Sequence, residues 1–169
     1  MNYKLRIKGF TLIELTVVIG ILAVLSAFVI AIVNPAAQLQ KARDGQRKSD
    51  LSQIQKSLEG YYQDHGRYPS NVSYQILRLD LSAVTRDNPS WIPYMNSVPQ
   101  DPVSTKTYLY VVSSDGQSYY FYASLDRGAN DLQLCHADAS KCDNAPADAT
   151  CGAVSDICNY GVSSPNVSP

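Results

Sequence analysis

Residues 8–33 read KGFTLIELTVVIGILAVLSAFVIAIV, and this stretch decides how the rest of the chain is organised. No charged residue lies between Glu14 and Lys41. As a helix, residues 10–33 would extend roughly 36 Å, enough to cross a hydrocarbon core of about 30 Å with some tilt. Because the run is longer than the apolar part of an ordinary secretory signal, the sequence predicts a membrane helix.

Basic residues flank the apolar run on both sides. Three cations and no acid precede it, which favours a cytoplasmic N-terminus. A second basic cluster follows the run, so charge counting alone leaves the orientation open. That cluster consists of Lys41, Arg43, Arg47 and Lys48. Because Asp44 and Asp50 are interleaved with these cations, the cluster is predicted to be a solvated helix face, with a lipid or filament contact as the alternative.

Glu14 is a lone carboxylate inside the apolar run. Such a group is costly within a membrane unless it has a partner or a function. If the chain were cut after Gly9, Phe10 would carry a free amino group one helical turn from Glu14. The same amine on a neighbouring copy could neutralise the carboxylate within lipid, so the pair predicts a contact between subunits.

Residues 8–15, KGFTLIEL, resemble the class III leader and N-terminal motif of type IV pilins and type II secretion pseudopilins. The resemblance rests on a short basic leader, a Gly before Phe, and a Glu five positions into the mature helix. It implies cleavage after Gly9 by a membrane-embedded prepilin peptidase, N-methylation of Phe10, and a role for Glu14 in docking into a growing filament. The alternative is a plain signal anchor with an unrelated glutamate.

The composition excludes several classes of protein. The 169 residues include 14 basic and 15 acidic side chains, for a net charge of −1, and 45% are apolar. This balance argues against a nucleic-acid binder built on a basic surface and against disorder throughout the chain. His65 and His136 stand apart from any nucleophile motif, so no catalytic residue and no enzymatic activity is predicted.

A second helical segment is predicted beyond the apolar run. Pro35 removes a backbone hydrogen bond and disfavours helical geometry at Asn34, so the helix should kink or break there. Apolar residues then recur at spacings of three and four, which predicts an amphipathic helix with one buried stripe. The stripe comprises Leu51, Ile54, Leu58 and Tyr61. Residues 65–69, HGRYP, end the helix, and residues 42–69 resemble the second half of the long helix in G-type pseudopilins.

The following part of the chain predicts a small β-sheet. Residues 108–112 and 119–125 are rich in aromatic and β-branched side chains, and the intervening SDGQ supplies a hairpin turn. A third strand is expected at residues 132–135. Asp101 lies in VPQDP, which resembles the Pro-rich strand entry of the same pseudopilins, and is expected to form a turn.

Together these elements predict an α+β fold. A long N-terminal helix spine, transmembrane in its first half and amphipathic in its second, packs on a small antiparallel β-sheet, followed by a disulfide-stapled C-terminal region. Ten of the 12 tyrosines lie between residues 61 and 122. They are expected to be structural, half-buried on the sheet with their hydroxyls reaching water.

Four cysteines lie near the C-terminus: Cys135, Cys142, Cys151 and Cys158. Their even number outside the membrane predicts two disulfides, and their wide spacing disfavours zinc. Three connectivities are possible. The local one, joining Cys135 to Cys142 and Cys151 to Cys158, is favoured because short loops lose the least entropy on closure. Since this stretch has little apolar surface, the disulfides are expected to replace a core.

Residues 126–131, DRGAND, offer Asp126, Asn130 and Asp131 as oxygen ligands. The resemblance to G-type pseudopilins implies a calcium loop at a comparable place. The stretch lacks the fuller acidic pattern of such loops, and Asp, Asn and Gly are common turn residues, so a plain turn is favoured. No metal or cofactor is therefore predicted, with calcium as the alternative.

The predicted organisation has five parts. They are a cleaved basic leader at 1–9, a transmembrane and filament-core helix at 10–33, an amphipathic second half at 34–69, a β-sheet head domain at 70–134, and a Cys-rich region with a mobile tail at 135–169.

The predicted function is that of a structural subunit, a pilin, of a type IV pilus-like surface filament. The predicted partners are other pilin subunits, the prepilin peptidase and an inner-membrane assembly platform, with no nucleic acid among them. The chain would be bitopic in the cytoplasmic membrane before assembly, with its N-terminus cytoplasmic, and extracellular afterwards. The alternatives are a type II secretion pseudopilin and a non-polymerising, membrane-anchored binding module.

Overall fold

The computed structural model describes residues 9–169, without the side chains of residues 30–33. Two compact units make up the chain, Met1–Leu39 and Gln40–Pro169, and the second is called the head below. Helix α1 is Leu12–Val33 and helix α2 is Pro35–His65. Between them Asn34 takes a left-handed conformation with φ of 41°, and its Oδ1 accepts the N–H of Ala37 at 3.3 Å. The predicted break at Asn34 is therefore confirmed.

Helix α1 is apolar on all sides. Its 22 residues extend about 33 Å, and it is long and apolar enough to cross a membrane. Thr16 Oγ1 donates to the carbonyl of Ile13 at 3.0 Å, and Ser26 Oγ donates to the carbonyl of Leu22 at 2.7 Å. Because both hydroxyls bond to the helix's own backbone, neither needs water as a partner.

Helix α2 provides the buried stripe predicted for it. Leu51, Ile54 and Leu58 are fully buried, which confirms the amphipathic pattern. The helix ends where Gly66, with φ of 67°, donates its N–H to the carbonyl of Tyr62 at 2.8 Å. A left-handed glycine directly after the last helical residue is a frequent way to satisfy a terminal carbonyl.

Five strands follow α2. They are β1 (Asn71–Val72), β2 (Gln75–Ile76), β3 (Leu109–Val112), β4 (Tyr119–Ala123) and β5 (Tyr160–Ser163). Strands β1 and β2 pair as a short hairpin, and the main sheet is antiparallel in the order β3-β4-β5. In the register of that sheet Leu109 lies opposite Tyr122, and Tyr122 lies opposite Gly161.

Two of the three predicted strands are confirmed, and the third is wrong. Residues 132–135 form no strand, and Leu132 is fully exposed. The third strand is β5. Its Gly161 lies close against Tyr122, because a Cβ at this position would be 2.9 Å from the Tyr122 ring. Since glycine and serine carry little strand propensity, pairing with β4 decides this strand and local sequence does not.

The two faces of the main sheet bury different partners. One face, with Tyr110 and Phe121, packs against the stripe of α2. On the opposite face, Leu109 and Tyr122 pack with the disulfide-bonded segment, including Cys151. Alternate residues of each strand point to opposite faces, so this small sheet is covered on both sides.

Four tyrosines of the sheet region are more deeply buried than predicted. They are Tyr108, Tyr110, Tyr119 and Tyr122. The Tyr108 hydroxyl donates to Asp50 at 2.8 Å and the Tyr110 hydroxyl to the carbonyl of Pro69 at 2.7 Å. Burial raises the pKa of these phenols above the ordinary value. The expectation that their hydroxyls reach water is therefore wrong.

The C-terminal region contains the two predicted disulfides. Cys135 is joined to Cys142, and Cys151 to Cys158, each across a sequence separation of 7. This is the local connectivity. Cys151 and Cys158 are fully buried, so the second disulfide forms part of a small core. After β5 the chain turns back, and the Ser163 hydroxyl donates to the carbonyl of Val167 at 2.6 Å.

Candidate assembly site and ionic network of the head

The N-terminal end of α1 carries a reciprocal hydrogen-bonded cap. Thr11 is the N-cap residue, and its Oγ1 accepts the N–H of Glu14 at 3.3 Å. In return, Glu14 Oε2 accepts the backbone N–H of Thr11 at 2.8 Å and its hydroxyl at 2.7 Å. This capping box satisfies backbone donors that the first helical turn would otherwise leave free.

The residues predicted for processing lie just before this cap. Phe10 is 86% exposed and Gly9 is exposed as well, and among the described residues, its chain neighbours aside, no atom lies within 4 Å of the place a Cβ on Gly9 would take. Both residues are therefore accessible. The predicted leader, apart from Gly9, lies outside the described residues. Phe10 precedes Glu14 by four positions, at the N-terminal end of α1.

The described apolar side chains of α1 have no covering partner among the other described residues of their unit. Leu12 is 80% exposed and Phe28 64% exposed, and residues 12–29 are exposed throughout. An apolar surface of this size requires lipid or other protein to cover it. The exposed surface of α1 can therefore be covered either by lipid or by apolar helices of other chains.

A buried ionic network lies at the start of the head. Arg47 is fully buried, and its Nη1 lies 2.8 Å from Asp44 Oδ1 and 3.1 Å from Asp126 Oδ2. Its Nε lies 2.8 Å from Asp101 Oδ2, and its Nη2 lies 3.1 Å from Asp101 Oδ1. One guanidinium thus joins α2 to the loop before β3 and the loop after β4, using the bidentate geometry that favours arginine.

Further contacts extend the network. Lys106 Nζ lies 2.7 Å from Asp126 Oδ1 and 3.5 Å from Asp156 Oδ1. The Asp44 carboxylate also accepts the backbone N–H groups of Asp126 and Arg127, at 2.8 and 3.0 Å. Burial raises the pKa of Asp126, but pairing with Lys106 and Arg47 outweighs burial and lowers it below the ordinary value. These carboxylates fasten the loop before β3 and the loop after β4 to the part of α2 that lies within the head.

The network corrects the prediction of a solvated basic face for Arg47 and Lys48, whereas Lys41 is exposed as predicted. Arg47 is buried, and Lys48 Nζ lies 2.7 Å from Asp131 Oδ1. A signal for this was present in the sequence. Asp44 and Arg47 continue the three-and-four spacing of the apolar stripe by two positions toward the N-terminus. Asp101, expected only to form a turn, accepts the N–H of Val103 at 2.8 Å and also carries the ion pair.

The three calcium candidates are engaged by cations. Asp126 pairs with Arg47 and Lys106, and Asp131 with Lys48. The Asn130 carbonyl accepts a hydrogen bond from Arg127 Nη2 at 3.0 Å. Within residues 9–169 no group of three or more His, Cys, Asp or Glu side chains is placed to hold a metal ion. Because a calcium ion needs six to eight oxygen ligands free of competing cations, these residues do not fit it.

Asp50 makes the free energy of unfolding of the head depend on pH. Burial raises its pKa above the ordinary value, the Tyr108 hydrogen bond lowers it, and the Asp101 charge raises it again, leaving a net increase. The ionised Asp50 carboxylate therefore lowers the free energy of unfolding at neutral pH. This destabilisation disappears as the pH falls through the raised pKa of the folded state toward the pKa of the unfolded state. We expect Asp50→Asn, whose amide oxygen can still accept the Tyr108 hydrogen bond, to be more stable than the wild type at pH 7.

Urea denaturation of both chains from pH 4 to pH 8 measures this difference, which should shrink toward acid. Asp87→Asn, at an exposed loop position, is the matched control and should follow the wild type at every pH. A constant difference between Asp50→Asn and the wild type across the range would contradict the expectation.

Comparison with known proteins places these features in context. Residues 34–136 match the family model described as type II secretion system protein G, and residues 4–30 match the prokaryotic N-terminal methylation motif. The type II secretion system core protein G of Pectobacterium carotovorum is 34% identical over 103 residues, which is 59% of this chain and 64% of that protein. The chain thus spans slightly less than two thirds of that relative's length.

Two further relatives are covered more fully. The type II secretion system core protein G of Klebsiella pneumoniae is 34% identical over 117 residues, or 66% of this chain and 80% of that protein. The type IV wide pilus major component PilA4 of Thermus thermophilus is 31% identical over 121 residues, or 72% of this chain and 84% of that protein. No solved structure matches the chain significantly.

Proposed function

Because this chain belongs to the pilin and pseudopilin family represented by type II secretion system protein G, we propose that it is a structural subunit of a type IV pilus-like surface filament. One observation carries the proposal: an uncovered apolar helix begins at Leu12, with its first turn capped by Thr11 and Glu14, within the residues that match the N-terminal methylation motif. Such a helix leaves lipid only if equivalent helices of neighbouring subunits bury it.

The proposed assembly begins with processing. A membrane-embedded prepilin peptidase cuts after Gly9, and methylation of the Phe10 amine follows. The chain is held bitopically in the cytoplasmic membrane with its N-terminus in the cytoplasm until an assembly platform extracts it. The Phe10 amine of one subunit then neutralises Glu14 of its neighbour, and the filament forms outside the cell.

A pseudopilin of a type II secretion system is the second candidate, and the protein G relatives favour it. The C-terminal region favours a pilus. The protein G match ends at residue 136, so the two disulfide loops lie almost wholly beyond it. The relative that shares the largest part of this chain among the three described is a pilus subunit. We therefore place the pilus first.

Cleavage provides the direct test. Co-expression with a prepilin peptidase is expected to yield a chain that starts at Phe10, and co-expression with the full assembly machinery should give filaments visible by electron microscopy. Gly9→Leu is expected to block cleavage almost completely, because a side chain at Gly9 would alter the accessible backbone that the peptidase must accept. Intact-mass spectrometry measures both products.

A wild-type chain that the peptidase leaves uncut would contradict the proposal and favour a non-polymerising membrane-anchored module. If the chain is cut, and deletion of its gene abolishes protein export but leaves the surface filaments intact, the secretion pseudopilin would be favoured.

A further inference from the structure

The loop between Cys151 and Cys158 presents an apolar side chain to solvent. Val154 lies at its tip and is 93% exposed. The disulfide closes the loop, and Asp156 fastens it from within: Oδ2 accepts the N–H of Ala153 at 2.8 Å, and the Asp156 N–H donates to the Ala153 carbonyl at 2.8 Å. A single exposed valine is ordinary, so the surroundings of this closed loop decide whether its tip has a role.

The loop lies beside the first head residues of α2. Ser155 and Ile157 line one open cleft together with Gln40 and Arg43, and Ile157 is itself exposed. Pro35, the first residue of α2, precedes Gln40 by five positions and Arg43 by eight. At 1.5 Å per helical residue, both lie within about 12 Å of the start of α2. The loop is therefore at the end of the head that the chain connects to the membrane-anchoring helix α1.

The same end of the head carries exposed positive charge. Lys41 and Arg86 are exposed, and the Arg43 side chain is 38% exposed. Arg86 belongs to this end because its Nη2 donates to the carbonyl of Lys106 at 3.2 Å. Asp87 is the exposed acid that follows it. Three exposed cations and one exposed acid favour a partner that bears negative charge.

Two further acids face the cleft, but they are already paired. Lys106 Nζ lies 2.7 Å from Asp126 Oδ1 and 3.5 Å from Asp156 Oδ1. The two carboxylate side chains are only 13% and 19% exposed. They therefore oppose an anionic partner less than the exposed cations attract it.

We infer that this end of the head is a membrane contact, in which Val154 enters the headgroup layer of the bilayer that holds α1 and Lys41, Arg43 and Arg86 lie against lipid phosphates. An apolar tip beside cations suits such a surface, because the valine leaves water and the cations find counter-charges. Anchorage by α1 keeps the loop close to lipid, so a small apolar tip suffices. The inference concerns the membrane-held subunit and does not rest on the proposed polymerisation.

The first experiment places a fluorophore at the tip. Full-length Val154→Trp is reconstituted into vesicles of phosphatidylcholine and phosphatidylglycerol, with or without bromine atoms on the acyl chains. The native Trp91 is buried, and the wild type measures its background. Brominated lipid is expected to remove at least about a third of the added emission, because the tip lies at the boundary of headgroups and acyl chains.

Ile92→Trp is the matched control, because Ile92 is an apolar residue that is 71% exposed at the other end of α2. The neighbouring Trp91 stacks on Tyr61 at 5.8 Å, and Tyr61 lies about 27 Å beyond Arg43 along the helix. Brominated lipid should remove less than about a tenth of the emission added by Ile92→Trp. Both substitutions are at exposed positions, and thermal unfolding followed by circular dichroism should match the wild type.

The second experiment tests the charge in the Val154→Trp chain. Lys41→Gln should lower the quenching at least about twofold in vesicles that contain phosphatidylglycerol, and leave it unchanged in phosphatidylcholine alone. Lys56→Gln is the control, since Lys56 is also an exposed lysine of α2 and lies about 22 Å farther along the helix. It should change the quenching in neither kind of vesicle.

Selective quenching of Val154→Trp, weakened by Lys41→Gln alone, supports the inference. Equal quenching of Val154→Trp and Ile92→Trp, quenching of neither, or equal responses to the two lysine variants would overturn it. The filament proposal is tested by cleavage after Gly9, so the two can fail independently.

Discussion

Replacing Glu14 with alanine is expected to leave the subunit stable in the membrane and to lower the yield of filaments at least about tenfold. The change removes the carboxylate that we propose to pair with the Phe10 amine of a neighbour. That amine would then enter the apolar core of the filament without a partner, and its burial opposes docking. Filaments sheared from cells and quantified against membrane-held subunit measure the effect.

Two matched variants separate this role from helix capping, because Glu14 also closes the cap with Thr11. Glu14→Gln can keep the capping box but loses the negative charge, so we expect it to fail nearly as severely as alanine. Thr11→Ala loses the capping hydroxyl but keeps the carboxylate, and should retain most of the wild-type yield. Wild-type filament yield from either Glu14 variant would refute the pairing.

Removing the Cys151–Cys158 disulfide is expected to cost the head about 4 kcal/mol of unfolding free energy. Loop closure across the separation of 7 residues accounts for about 2.5 kcal/mol. The rest comes from placing two serine hydroxyls where the cysteines are fully buried. The double variant Cys151→Ser, Cys158→Ser should therefore melt about 15 °C below the wild type in a thermal denaturation experiment.

The other disulfide is a natural control. Cys135–Cys142 closes a loop of the same length, but Cys135 is only partly buried. Its double serine variant should lose the loop-closure contribution and a smaller burial contribution, because only Cys142 of this pair is buried. Equal Tm losses for the two double variants would show that packing around Cys151 and Cys158 adds nothing, contrary to the structure.

The helices were predictable because they depend on periodicity and on length. The length of the apolar run in α1 predicts a membrane-length helix. The spacing of Leu51, Ile54 and Leu58 predicts a helix with one buried face. The break at Asn34 followed from the geometry of the next residue, a proline. Such features need no knowledge of distant parts of the chain.

The parts that could not be predicted depend on distant partners. Strand β5 contains Gly161 and Ser163, which form a strand because β4 is already there to pair with them. The spacing of the stripe places Arg47 on the buried face of α2, but a buried charge needs partners, and besides the nearby Asp44 these are Asp101 and Asp126, far along the chain. The sequence motif predicted the candidate assembly site, whereas the hydrogen bonds between Thr11 and Glu14 were found only in the structure.

The burial of Arg47 has a consequence for where such a protein can work. Mobile salt ions weaken partly exposed charge pairs, such as that between Arg43 and Asp126, but they reach a fully enclosed guanidinium far less. The attachment of α2 to its loops should therefore hold in dilute fresh water and in brine alike. In the surface filament proposed above, the subunit would meet media whose salinity the cell does not control, and the Arg47 ion pairs should hold across that range.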